Sequence, residues 1–280
     1  MPRHARPITL VAVAALAVAA GPAFGVGQPP AALDQGGSVV SPDGAVRYTL
    51  THANLKTSVT AVRVRDGKRL GSTSLDGMWG VAPVTVGNQY GGVSHDGSRL
   101  VVAEIGSATR FAVIPTSFAS RPRFVSLAGD FAFDAMSPDN KRLYVIERRG
   151  SSSSPFSYRV RLFDLRANQL QPGVVAATET PEPMAGIPLS RAETANGRWA
   201  YTLYTKTNGV EFVHALDTMT ARAWCIDLPW KANQKNAQAE WALKLKLNEG
   251  RRALLVQRGA HTVATIATGA LKVQSSEPIS

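Results

Sequence analysis

The feature that most limits what this chain can fold into is a corner that returns five times. The copies are Ser41-Pro42-Asp43-Gly44, Ser94-His95-Asp96-Gly97, Ser137-Pro138-Asp139-Asn140, Thr194-Ala195-Asn196-Gly197 and Leu247-Asn248-Glu249-Gly250. In the third copy Pro138 presets the first corner of a type I turn, Asp139 caps its own backbone, and Asn140 tolerates the left-handed conformation from which a strand can leave. Leu143 to Ile146 then run apolar as far as Glu147, which suits a strand covered on both faces.

Aligned on the left-handed position (Gly44, Gly97, Asn140, Gly197, Gly250), the fourth residue onward is Tyr48, Val101, Tyr144, Tyr201 or Leu254, and the sixth is Leu50, Ala103, Ile146, Leu203 or Val256. Residues two apart on a strand share a face, so every copy is expected to send an apolar pair to the same side. The copies lie 53, 43, 57 and 53 residues apart, a spacing that belongs to propeller blades or solenoid units.

A second turn follows each corner, at Asp66-Gly67, Phe163-Asp164-Leu165-Arg166, Leu216-Asp217-Thr218 and Ile266-Ala267-Thr268-Gly269, with poorer turn chemistry at Ile114-Pro115-Thr116-Ser117. One unit therefore holds two turns and four short strands. Gln234 to Leu247 reads either as a short helix or as a polar loop and a strand from Trp241. The alternation of Trp241, Leu243, Leu245 and Leu247 with Ala242, Lys244 and Lys246 favours the strand.

Residues 1–25 have the parts of a secretory signal: Arg3 and Arg6, an apolar run from Ile8 to Ala20, and small residues to Gly25. The run is short for a bilayer span, although an uncleaved N-terminal anchor is the alternative. Residues 26–37 read as a flexible linker and 38–280 as a single domain. The fold class expected is all-β, a β-propeller of five blades of four antiparallel strands, closed by pairing of the termini into a shared fifth blade. Without residues 1–25 the chain keeps 29 Lys and Arg against 20 Asp and Glu, or +9. An exported protein of that balance is attracted to anionic polymers, lipid headgroups or acidic proteins, unless the charge is only a solvated surface.

The Ser-Pro-Asp-Gly corner, the apolar strand after it and the later Asp-Thr turn resemble the repeat of secreted β-propellers of the lactonase-like and TolB-like kind, over residues 38 to 274. Gly197 to Tyr204, Phe212 to Thr218 and Cys225 to Pro229 are similar to stretches in a group of exported actinobacterial proteins. This resemblance implies export and propeller blades and brings no reaction with it.

Candidate sites are few. Asp43, Asp96 and Asp139 occupy turn corners where Asp caps backbone, a structural role. Histidines 4, 52, 95, 214 and 261 have no metal-ligand spacing, and neither a zinc nor a calcium pattern is present, so no metal and no cofactor are expected. Cys225 reads as a small buried hydrophobe, and there is no nucleophile elbow, phosphate loop or dinucleotide fingerprint. Ligand contacts are expected from Trp79 and Trp230, which abut loops, and from Arg149, Met184 and Arg191 in or beside the long loops at residues 148–155 and 178–190. Arg149 and Arg191 together would bind an anionic group at one end of the ring.

The functional reading is a non-catalytic, exported binding module in or beyond the cell envelope. It would act as a monomer on an envelope polymer or protein, with an anionic partner favoured, nucleic acid not expected, and no transmembrane span after signal cleavage. The alternative is a propeller enzyme acting on a glycan or lactone. It would need two carboxylates converging on the axis, and Glu104, Glu147, Glu182 and Glu193 are the candidates.

Overall fold

Each corner delivers the chain into the second strand of a four-stranded antiparallel sheet, and the sheet is completed before the next corner begins. The computed structural model describes residues 32–33, 35–106, 109–149, 157–175, 184–206, 210–230 and 241–277. The segment read as a secretory signal, most of the two long loops and residues 231–240 lie outside them.

Blade 1 is β1 (Gly37–Val40), β2 (Val46–Ala53), β3 (Lys56–Arg63) and β4 (Arg69–Asp76). Blade 2 contains β5 (Trp79–Pro83), β6 (Tyr90–Gly91), β7 (Arg99–Glu104), β8 (Thr109–Pro115) and β9 (Arg123–Leu127), with β6 innermost. Blade 3 is β10 (Phe131–Met136), β11 (Arg142–Arg148), β12 (Ser157–Asp164) and β13 (Gln169–Leu170), with β14 (Met184–Ala185) added beside β12. Blade 4 is β15 (Ile187–Glu193), β16 (Trp199–Thr205), β17 (Glu211–Asp217) and β18 (Arg222–Asp227), and blade 5 is β19 (Leu243–Leu247), β20 (Ala253–Arg258), β21 (His261–Ala267) and β22 (Lys272–Ser276).

Apolar pairs from the strands bind each of the first four blades to the next. Tyr48 and Leu50 meet Leu100 and Val102 of blade 2. Val101 and Ala103 meet Leu143 and Val145. Tyr144 packs with Ala200 and Phe212, and Tyr201 and Leu203 with Leu254 and Val256. Each fully buried side chain of this size contributes about 1.5–3 kcal/mol relative to exposure, so the four blade interfaces supply most of the burial. Five antiparallel blades are thus present, three of four strands and two of five. Closure by pairing of the termini is not: every described strand of blade 1 comes from residues 37–76 and every one of blade 5 from 243–276, in separate sheets. Completing each sheet from one continuous stretch costs less loop-closure entropy than joining strands from opposite chain ends.

The fifth corner sits one residue later than the sequence alignment places it. Arg251, at φ 54°, holds the left-handed position, and Gly250 does not. Arg251 N donates to Asn248 O (2.9 Å) as Gly44 N does to Ser41 O (2.8 Å), and Thr268 Oγ1 donates to Arg251 O as Thr116 and Thr218 do to Gly97 and Gly197. A slip of one residue turns a strand's faces over. Leu254 and Val256 therefore look back at blade 4, and the forward face of blade 5 carries half-buried Leu255 and Gln257 instead. Among the described residues no apolar cluster joins blade 5 to blade 1.

Two further expectations shift. Residues 32–33 and 35–37, read as the end of a flexible linker, are held to the fold: Leu33 N donates to Val81 O (3.1 Å), Val81 N to Gly36 O (2.8 Å), and Ala32 is buried. Gly80 has to be glycine there, since a Cβ would stand 2.2 Å from Leu33 O. The strand expected from Trp241 begins at Leu243 and leaves Trp241 exposed.

The corners are built alike. Ser41, Ser94 and Ser137 each donate to the Asp two residues on (2.5–2.6 Å) and accept from the backbone five residues on (2.9–3.0 Å). Asp96 adds a link between blades, because Asn140 Nδ2 donates to it at 2.8 Å. Partial burial pulls the Asp96 carboxyl upward, but hydrogen bonds from Ser94, Ser98 and Asn140 outweigh it and hold the group at about 2. The acidic corners are structural, as read. Asp96→Ala is expected to cost about 1 kcal/mol, measured as a lower midpoint in denaturant; an unchanged midpoint would show that the corner needs no carboxylate.

Candidate functional site: a basic turn face around an axial cavity

In an antiparallel blade the first and third turns fall at one end and the second turn at the other. Both recurring corners of every blade therefore collect on a single face. The ten segments that form this turn face, 41–47, 63–69, 94–99, 115–123, 137–142, 164–169, 193–199, 217–222, 248–253 and 267–272, hold sixteen Lys and Arg against eight Asp and Glu, or +8. The described segments of the opposite rim, 53–56, 76–79, 104–106, 127–131, 147–149, 205–206, 210–211, 227–230, 258–261 and 277, hold five against seven, or −2. The excess is greatest on the β3–β4 hairpin of blade 1, where Arg63, Arg65, Lys68 and Arg69 surround Asp66. Val64 and Leu70 are exposed beside them.

A cavity of about 270 Å³ opens at the centre of this face, lined by Pro42 of blade 1, His95 and Tyr90 of blade 2, Met136 of blade 3 and Arg191 and Glu193 of blade 4. Its floor comes from a strap between β5 and β6. Val86 N donates to Pro188 O (2.9 Å), and the Gln89 side chain pairs with the Arg191 backbone, accepting from N (2.7 Å) and donating to O (3.0 Å). The strap thus crosses the axis from blade 2 to blade 4. On the face above, His95 packs directly on Gly197, where a Cβ would stand 2.7 Å from the His95 Cβ.

Arg191 is the centre of the site. Its Nη1 donates to Asp134 Oδ1 (2.7 Å) and its Nε to Glu193 Oε1 (2.9 Å), with Arg191 and Asp134 side chains 5% and 4% exposed and Glu193 55%. Burial works against the guanidinium charge, but Asp134 and Glu193 overcome it and push its pKa further up. Both inner strands are bulged here, β10 at Asp134 and β15 at Leu189. A bulge re-aims a side chain that regular alternation would send elsewhere. Behind the pair, His214 is buried against the Tyr204 ring (6.5 Å), and burial lowers its pKa to about 4. No group of three or more potential metal ligands occurs among the described residues.

Of the residues expected to bind ligand, the structure brings only Arg191 to the cavity. Trp79 is fully buried in the core between blades 1 and 2, its Nε1 donating to Asp76 O (2.8 Å). Trp230 is 9% exposed in the core of blades 4 and 5, its Nε1 donating to Glu277 O (2.7 Å). Neither offers a stacking face, because each indole buries its rings and satisfies its one donor internally. Met184 accepts from Cys225 Sγ (3.6 Å) at the edge of blade 3, and burial raises the Cys225 thiol to about 11. Arg149 pairs with Glu147 (2.9 Å) on the rim opposite the cavity and does not join Arg191. Of the four glutamates named for catalysis, Glu104 is bonded to Arg110 and Glu147 to Arg161 and Arg149, Glu182 lies outside the described residues, and Glu193 alone reaches the cavity. Sequence reasoning missed Gln89 and Asp134. The second had a signal, a lone charge inside Phe131-Ala132-Phe133-Asp134-Ala135-Met136.

Radial four-stranded blades around a plugged axis make this an all-β propeller. No family model matches the sequence, and no curated protein matches it. Among solved structures the chain is similar to Kuenenia stuttgartiensis hydrazine synthase, at 17% identity and a TM-score of 0.50 over 86% of this chain and 67% of that one. It is also similar to TolB from Acinetobacter baumannii, at 12% identity and 0.45 over 83% and 51%, and to the Swd1 β-propeller domain of Myceliophteria thermophila, at 11% and 0.49 over 84% and 66%. The chain spans between about half and two thirds of the length of these structures. At such identities the first likeness shows the fold alone.

Proposed function

We propose that this propeller is an exported binding module that docks its turn face on an anionic partner in or beyond the cell envelope. The charge-bearing segment Arg3 to Gly25 motivates the address, and the division of charge between the two faces carries the docking. With +8 on one face and −2 on the described opposite rim, a polyanion is drawn to the face and oriented before contact. Four of the five blades contribute a positive excess, so the face suits an extended polymer rather than a single phosphate. The two carboxylates beside the cavity, Asp134 and Glu193, are both bonded to Arg191, so they hold a buried side chain in place.

The test is retention of the full chain on sulfated dextran and on neutral dextran. Retention on the sulfated polymer alone is expected, with elution as salt rises and the Debye length shrinks. The double reversal Arg65→Glu and Lys68→Glu is expected to weaken it on the order of tenfold. Equal retention on neutral dextran, or no effect of the reversal, would remove this reading.

A further inference from the structure

The cavity at the centre of the basic face has the opposite electrostatic character from its rim. The ionised groups at its wall are Arg191 and Glu193, and behind them Asp134 holds Arg191 from the other side. This trio sums to −1, so an anion that the rim attracts meets a net negative charge at the centre, where Asp134 and Glu193 already hold two of the three guanidinium nitrogens. Cations face the converse problem, since they must cross a rim of +8. The group that suits both fields is neutral.

The polar atoms that remain available define what that neutral group must offer. Arg191 has Nη1 and Nε committed, and its Nη2 is buried without a hydrogen-bond partner. Glu193 uses one oxygen on Arg191 and, at 55% side-chain exposure, presents the other as an acceptor. His95 and Tyr90 are half-buried in the wall and can donate or accept. Val39, Val93, Phe133 and Met136 supply the apolar remainder. The frame is fixed before any ligand arrives, because Gln89 pins the Arg191 backbone and Gly197 seats His95. A rigid wall of this kind spares a ligand the entropy of ordering it.

We infer that the axial cavity binds a neutral, hydroxyl-bearing ring, a single sugar unit, with a ligand hydroxyl donating to Glu193 and the ring's C–H face on the apolar wall. About 270 Å³ lies just below the usual span for small-molecule pockets, which fits one unit and not an oligomer. The site is separate from the docking face: one reads neutral hydroxyls, the other reads diffuse negative charge. A polymer that carries both kinds of group would engage both.

The experiment follows the ring resonances of His95 and Tyr90 in the full chain by NMR. Glucose and N-acetylglucosamine serve as neutral probes, acetate as the anion and methylammonium as the cation. It is run in about 0.5 M NaCl, where the Debye length is under about 5 Å and rim attraction is screened. Saturable shifts with a neutral sugar are expected. Glu193→Gln should weaken them about tenfold, the loss of a charge-assisted hydrogen bond, while Arg65→Glu with Lys68→Glu leaves them unchanged. The melting temperature of each variant separates lost binding from lost folding. Shifts from acetate or methylammonium in place of the sugars, or from no probe at all, overturn the inference. Sugar binding that survives while sulfated dextran is not retained would instead remove the docking-face reading and leave the cavity standing.

Discussion

Asp134→Ala is expected to destabilise the protein by about 3–5 kcal/mol, because it strands a buried guanidinium. Arg191 and Asp134 are each at most 5% exposed at the side chain, and removing one member of such a pair leaves the other's charge in a medium that cannot solvate it. Glu193 does not compensate, since its carboxylate is already bonded to Nε and stands half in solvent. Replacing both partners, as Asp134→Leu with Arg191→Met, is expected to recover most of the loss, because two apolar side chains of similar volume carry no desolvation penalty. Denaturant midpoints of the two variants decide it. If Asp134→Ala cost less than about 1 kcal/mol, the pair would be a surface-like contact and the cavity would lack the rigid wall described for it.

The second large effect is acidic. His214 lies within β17 between Thr202 and Cys225 of the neighbouring strands, beside Tyr204, with Asp134 raising and Arg191 lowering its proton affinity. Burial is the largest influence and lowers its pKa from 6.5 to about 4. The unfolded chain therefore binds a proton near pH 6.5 that the folded chain refuses until about pH 4. Stability is full above pH 6.5 and falls as pH drops between these values, by about 3 kcal/mol. Carboxylates contribute their own acid losses, so the comparison is with His214→Gln, which cannot titrate. Its stability should fall less over pH 6.5 to 4 than that of the parent. Parallel curves would mean that His214 is accessible to protons in the folded state.

The corners were legible because their chemistry is local. Ser, Asp and a left-handed residue within four positions make the same hydrogen bonds wherever they stand, and the apolar pairs after four of them reached the faces expected. The fifth failed for an equally local reason: Gly250 is the residue that usually takes a positive φ, but Asn248 supplies the cap, and this moves the left-handed position to Arg251. The site was less legible. Its charge division is invisible along the chain, since opposite faces alternate at every turn, and Arg63 to Arg69 reads as one basic hairpin among scattered charges. Trp79 and Trp230 misled because a loop beside an indole says nothing of what packs over it. Gln89 sits in Val86-Gly87-Asn88-Gln89-Tyr90, where composition suggests only a turn, although its partner lies 102 residues away.

That separation bears on the order in which the molecule assembles. The corner hydrogen bonds and the hairpins close over a few tens of residues, so each blade can form as soon as its own stretch is available. The strap cannot, for its socket is the backbone of Pro188 and Arg191 in a blade two places further on. Contacts of such range come late, after their loop-closure entropy has been met. A nascent chain that ends before blade 4 therefore holds finished sheets around an unstoppered hole, and the central hollow takes its shape only in the last steps of folding.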